Sequence, residues 1–293
     1  MSDEDLGEGT LLPDRYTSED TFERIIKVAD EEVSKGIREL FFSGLAAGIA
    51  ITITFLLYAS MTGKTANPVL GALLYPLGFI YIILGNYQLF TENTLPPVTL
   101  VLERMASIPS MLTVWGTVLT ANLVGGGIGA VFLATTDVLS NGAKQAAITI
   151  AQSAFSYSFQ ALFFKGVFAG AIVAGLVWLD FSSRDTISRF FVAYLAFLSI
   201  PLGGLYHVVV TTTEVVYLAV LGEVALLTGL TQVALPVLLG NTVGGVVFVT
   251  FVNYFQTPHY IQEDPSHRLP IKEWLFSWNA GRDRKSLLQN EDQ

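Results

Sequence analysis

Leu40-Phe41-Phe42-Ser43-Gly44-Leu45-Ala46-Ala47-Gly48 and Leu162-Phe163-Phe164-Lys165-Gly166-Val167-Phe168-Ala169-Gly170 read almost alike, 122 residues apart. Asn122-Leu123-Val124-Gly125-Gly126 is likewise matched by Asn241-Thr242-Val243-Gly244-Gly245 at an offset of 119, and Leu84-Gly85 by Leu202-Gly203 at 118. Three matches in one order at nearly one spacing make the chain two copies of one unit. Each copy holds three membrane-length segments. An odd number of crossings forces the copies into opposite orientations, giving an inverted repeat of the kind that surrounds a solute pathway near the bilayer midplane.

Composition agrees with a membrane solvent. Of 293 residues, 52% are hydrophobic and only 14% charged, with a mean hydropathy of +0.53; a soluble domain carries about a quarter charged residues. The charges crowd into the ends, and between Phe41 and Tyr254 run apolar stretches of about 20 residues, enough to cross a ~30 Å hydrocarbon core. Six segments are expected: Leu40 to Ser60, Val69 to Leu102, Met111 to Thr135, Ala161 to Leu179, Phe190 to Leu221 and Val233 to Tyr254. The second and fifth are too long for one straight helix. The second is interrupted over Gly85 to Pro97, the fifth at Pro201-Leu202-Gly203-Gly204 and His207. Non-helical backbone at membrane depth leaves polar groups unpaired unless it is buried in protein or lines a cavity, so two matched breaks predict a central polar cavity. Glycines four apart (Gly44/Gly48, Gly166/Gly170, Gly125/Gly129) allow close helix approach.

Residues Met1 to Asp14 are acidic and lack an apolar core, so no cleavable signal peptide is expected. Glu19 to Glu39 reads as a charged amphipathic helix at the membrane surface. Pro258 to Gln293 reads as a polar tail whose last dozen residues are expected to be disordered. The expected domains are an acidic arm over 1–39, a six-helix channel domain over 40–256 and a tail over 257–293. Thirteen Lys and Arg fall on the side of the termini, against Lys64 and Lys144 on the other. That bias places both termini in the cytoplasm of a multi-pass cell (inner) membrane protein. A net charge of −9, concentrated in the N-terminal arm, speaks against nucleic acid as a partner.

Ionisable residues inside the spans are costly and therefore informative. They are Glu92, Lys165, His207 and Glu214. Lys165 stands where the first repeat has Ser43, so it either attracts an anion or pairs with Glu92 or Glu214 as possible charge partners. His207 follows the second break, and an imidazole there can hold or deliver a proton near neutral pH. With no cysteine in the chain and one histidine in the membrane region, no metal site is expected. No cofactor is called for, and no nucleophile–base pair suggests an enzyme.

The sequence resembles the formate/nitrite transporter family over about Leu40 to Tyr254. The resemblance is carried by Phe42 to Gly48, Leu89-Phe90-Thr91-x-Asn93-Thr94, Lys165-Gly166, His207 and Gly240-Asn241-x-x-Gly244-Gly245. It implies an all-α, aquaporin-like protomer with interrupted second and fifth helices. It further implies a homopentamer with one pore per protomer, passing small monovalent anions of weak acids. Leu89, Phe90 and Thr91 would form the gating loop, His207 the central histidine between two apolar constrictions, and Lys165 the lysine behind it. Gly85, Gly203, Gly204, Asn122 and Asn241 would serve packing and the helix breaks. A naked carboxylate pays a large desolvation cost in an apolar constriction that its neutral acid avoids.

The chain departs from the family pattern. Tyr206 replaces the usual Glu before the histidine, Thr211 the usual Asn four residues after it, and Gln88 the usual Glu before Leu-Phe-Thr; Glu92 and Glu214 are additional. These changes describe a diverged branch. They leave open a transporter of another solute, or of cations with protons, using Glu92 and Glu214, and a non-conducting scaffold or sensor. An aquaporin is disfavoured because no Asn-Pro-Ala occurs at either break.

Overall fold

The computed structural model describes residues 16–257 and 268–282, and no strand occurs among them. The acidic residues Met1 to Asp14, most of the early C-terminal tail with His259 and His267, and the last eleven residues lie outside the described residues. In chain order the helices are α1 (Ser18–Ser34), α2 (Ile37–Thr65), α3 (Pro68–Ala72), α4 (Pro76–Gly85), α5 (Pro96–Leu102), α6 (Ile108–Thr135) and α7 (Asn141–Ser153). They continue as α8 (Phe159–Ser182), α9 (Thr186–Leu202), α10 (Val208–Val220) and α11 (Leu226–Gln256). A short helix, Ile271–Phe276, follows.

Among the described residues, five helical stretches are long and apolar enough to cross a membrane: Ile37–Thr65, Pro68–Gly85, Ile108–Thr135, Phe159–Ser182 and Leu226–Gln256. Segment five is two shorter apolar helices, α9 and α10, and segment two is divided into α3–α4 and α5 by a 3-10 turn at Glu92–Thr94. Polar side chains fix where several helices begin. Ser107, Ser158 and Asp185 accept backbone N–H bonds at the starts of α6, α8 and α9, satisfying donors that helix geometry leaves orphaned.

The breaks close in the same way in both copies. After α4, Tyr87 N bonds Ile82 O at 3.1 Å; after α9, Leu205 N bonds Ile200 O at 2.9 Å. This six-to-one pairing requires a left-handed residue just past the helix end. Asn86 (φ 54°) provides it in the first copy and Gly204 (φ 59°) in the second. The expected break glycines Gly85 and Gly203 are one residue earlier: Gly85 closes α4 and Gly203 has φ −79°. The second half-helices end alike, with Arg104 (φ 58°) and Gly222 (φ 78°) as the left-handed residues.

Close packing follows the repeat. A Cβ on Gly44 would lie 2.8 Å from the Ala121 Cβ, and one on Gly166 2.9 Å from the Val237 carbonyl oxygen, so α2 meets α6, and α8 meets α11, nearly backbone to backbone. The amphipathic helix ends at Ser34, before Lys35-Gly36, rather than at Glu39. Its apolar stripe, Phe22, Ile25, Ile26, Ala29 and Val33, is fully buried, and the helix packs on α5 and α8. Protein, not lipid, covers that face. Helix α7 was not expected from the sequence; Ala143, Ala147 and Ala151, four apart, bury one face of it against α2 and α10.

Candidate functional site

Two buried asparagines hold the two breaks. Asn122, on α6, accepts from Phe90 N at 2.9 Å and donates to the carbonyls of Gly44 (2.8 Å) and Gln88 (2.9 Å). Asn241, on α11, accepts from Val208 N at 2.8 Å and donates to the carbonyls of Gly166 (2.9 Å) and Tyr206 (3.0 Å). Each partner of one asparagine is the repeat equivalent of a partner of the other. One amide side chain per copy thus supplies what the broken helix cannot supply for itself.

Between these tethers the two copies meet. Thr91 Oγ1 lies 2.8 Å from His207 Nε2, both side chains buried. His207 is the residue just before α10, and its ring stands edge-on to Phe79, 5.0 Å between centroids at 87°; Phe79 in turn stacks on Phe197 at 3.8 Å. The imidazole is therefore fixed by one hydrogen bond and an aromatic wall, while its Nδ1 has no hydrogen-bond partner. Leu89 and Phe90 are buried beside it, Phe90 edge-on to Trp115, whose indole N–H donates to the Asn93 carbonyl at 2.7 Å. Thr211 is one turn beyond His207 on α10.

Two cavities border the breaks, one lined by Gln88, Glu92 and Asn93 of the first and one by His207 of the second. The larger, about 460 Å³, is bordered by the bases Arg24, Lys27, Lys35 and Arg189 and by the acids Glu31, Glu32, Glu92 and Asp180. Nothing in the order of residues signals that α1 would reach it. Gln88, next to Leu89, donates to Glu32 of α1 at 2.9 Å and accepts from Asn93 at 2.8 Å. Burial pushes the Glu32 carboxyl up from the ordinary glutamate range, with the Gln88 bond and Lys35 opposing. Glu92 borders the same cavity with its Oε1 buried and without a hydrogen-bond partner. The smaller cavity, about 100 Å³, is lined by His207, Thr211, Glu214, Tyr58, Tyr75 and Tyr206, among others.

Lys165 pairs with neither acid among the described residues. Its ammonium donates to the Gly204 carbonyl at 2.7 Å and sits 4.5 Å from the centre of the Tyr157 ring. The first contact ties it to the left-handed residue three positions before His207. Ser153, at the end of the unexpected α7, meets the Tyr206 hydroxyl at 3.2 Å and so reaches the same mouth. Its only advance signal was the alanine spacing of α7. No cluster of His, Cys, Asp and Glu suited to a metal ion occurs among the described residues.

A family model described as formate/nitrite transporter matches residues 19–255. Inner membrane protein YfdC of Escherichia coli is 27% identical over 252 residues, covering 84% of this chain and 79% of that protein. Formate channel BtFdhC of Bacillus thuringiensis is 22% identical over 257 residues, covering 83% and 97% respectively. Among solved structures, an FNT family ion channel superposes with a TM-score of 0.72 at 21% identity, covering 82% of this chain and 99% of that one. A pentameric formate channel with formate bound gives 0.64 at 24%, covering 75% and 97%.

Proposed function

The chain belongs to the formate/nitrite transporter family, and on that footing we propose that it passes small monovalent anions of weak acids, formate and nitrite being the type, through a pore in each protomer. The observation that carries this is the 2.8 Å contact of Thr91 with His207, where the two broken helices meet and each break borders a cavity. Relatives named as formate channels support the substrate class. The pentameric formate channel supports assembly of five copies. Large exposed apolar side chains such as Phe42, Phe132, Phe164 and Phe248 would then face lipid or neighbouring copies. The Lys and Arg bias puts both termini, and with them the larger cavity, on the cytoplasmic side of a cell membrane. The partners in this reading are anions, protons, lipid and further copies of the chain; nucleic acid, cofactors and catalysis have no part in it.

Each residue has a physical task. Arg24, Lys27 and Lys35 offer positive charge to an anion at the larger cavity, while Arg189 is paired with Asp180 at 3.6 Å and Glu31, Glu32 and Glu92 line the same wall. Leu89 and Phe90 form the apolar constriction, which a naked anion crosses only at high desolvation cost. Thr91 holds Nε2 of His207, so the imidazole can deliver a proton at the constriction and send the solute through as its neutral acid. Thr211 continues the polar wall beyond it. Lys165 acts through the Gly204 carbonyl, adding positive potential without needing to touch the solute.

Stopped-flow uptake into proteoliposomes with formate, nitrite, acetate and lactate, between about pH 5 and 8, tests the reading beside His207→Ala. Uptake should rise with acidity and collapse in the variant. A folded protein that passes none of these anions would sink it and return attention to a scaffold.

A further inference from the structure

Helix α10 carries a second proton-exchanging group that the pathway above does not use. His207, Thr211 and Glu214 recur at spacings of four and three, which places them along one face of two helical turns. They are 1%, 1% and 6% exposed, and all three line the smaller cavity. Glu214 accepts no hydrogen bond and forms no ion pair among the described residues. A carboxyl this buried and unpartnered inside a membrane is expensive, and such residues mark ion or proton routes by default.

The surroundings narrow what the route carries. The titratable groups around Glu214 are Tyr58 of α2, Tyr75 ahead of α4, and Tyr206 and His207 at the second break. No Lys, Arg or Asp lines this cavity, and Lys165 is engaged by the Gly204 carbonyl. The cavity therefore offers hydroxyls, one carboxyl and one imidazole, which is the chemistry of a water-filled proton path rather than of an anion or metal site. Its volume of about 100 Å³ holds at least three waters at roughly 30 Å³ each.

We propose that Glu214 loads the pathway with protons, passing them through water held by Thr211 and the tyrosine hydroxyls to His207, so that each anion crosses together with one proton. The assignment rests on the reading that a weak-acid anion passes at Thr91 and His207. The carboxylate takes a proton from a hydronium ion at the mouth beside α7, which leaves as water. Its O–H bond then breaks as that proton moves along the water chain to the imidazole. The imidazole gives its extra proton to the oxygen of an anion that has entered from the same mouth, and the neutral acid passes the constriction and ionises again in the larger cavity. No electrons move, and the net cargo is one anion and one proton.

The test compares wild-type, Glu214→Gln and Glu214→Asp protein in vesicles, with formate present and protein-free uptake subtracted. Wild-type uptake driven by a pH gradient alone should fall at least about tenfold in the glutamine variant, and the acid stimulation should vanish, while aspartate restores both. Wild-type rate and pH profile in a folded Glu214→Gln protein would overturn the proposal. If that variant does not assemble, Thr211→Val must weaken the acid stimulation, and an unchanged profile there overturns it equally. If the wild type passes no anion, the anion reading fails by itself. Infrared difference spectra then decide: a pH-responsive carboxyl band absent from Glu214→Gln upholds proton exchange at Glu214, and no such band refutes it.

Discussion

Replacing Asn241 by leucine should be among the most damaging single changes, although the side chain need never touch a solute. The asparagine is fully buried and makes three hydrogen bonds of 2.8 to 3.0 Å. Leucine keeps the branching at Cγ but its methyl groups are bulkier than the amide's oxygen and nitrogen, so overpacking can only add to the loss of polar partners. The Gly166 carbonyl lies inside α8 and keeps its helical bond. The other two groups have no such fallback: Val208 N is a first-turn donor of α10, and the Tyr206 carbonyl sits in the break. Each stranded group costs about 1–3 kcal/mol, giving roughly 2–6 kcal/mol in all. Side-chain hydrogen bonds within membranes average only about 0.6 kcal/mol because the unfolded chain also finds partners, so the lower end, about 2 kcal/mol, is expected. Denaturant unfolding in mixed micelles measures it. Asn122→Leu should cost a similar amount, since it strands Phe90 N and the Gln88 carbonyl in the same way. A loss below about 0.5 kcal/mol, no more than an ordinary surface change, or a large loss at only one asparagine, would refute the argument that the two side chains complete the two broken helices.

Three further expectations follow from other contacts. Thr91→Val removes the hydroxyl on His207 Nε2 at nearly constant volume, worth about 1–3 kcal/mol; anion flux near neutral pH should fall about tenfold or more, and Thr91→Ser should keep it. Gly204→Ala must hold a Cβ at φ 59° and should cost about 1–2 kcal/mol in the same unfolding assay, whereas Asn86→Gly at the equivalent position should cost nothing. The docking of α1 should weaken as pH rises: the raised Glu32 carboxyl binds protons more tightly folded than unfolded, so its burial penalty is absent below the unfolded value and grows as pH climbs through the folded one. Hydrogen exchange of α1 should therefore be slower at acid pH, and Glu32→Gln should abolish the difference.

The spans, the two interruptions and the doubled unit were legible in the sequence because each is a local property. Apolar length fixes what can lie in hydrocarbon, and small residues four apart mark where backbones meet. Even the matched asparagines stood out through the repeat. Their task did not, since their partners come from three separate elements. Lys165 illustrates the same limit: as a sequence position it invited an acid as partner, but the fold brings it a carbonyl from the break. Helix α7 escaped notice because its alanine face is too short and too mildly apolar to announce itself. The link from Glu32 through Gln88 to the Leu89–Thr91 loop joins residues 56 positions apart, and the contact of Thr91 with His207 joins residues 116 apart. Sequence alone determined which residues must leave water and where the helices must break. Only the tertiary structure decided which polar groups answer one another there, because inside a membrane each must find a partner in space, and closeness in space is set by how the two repeats pack.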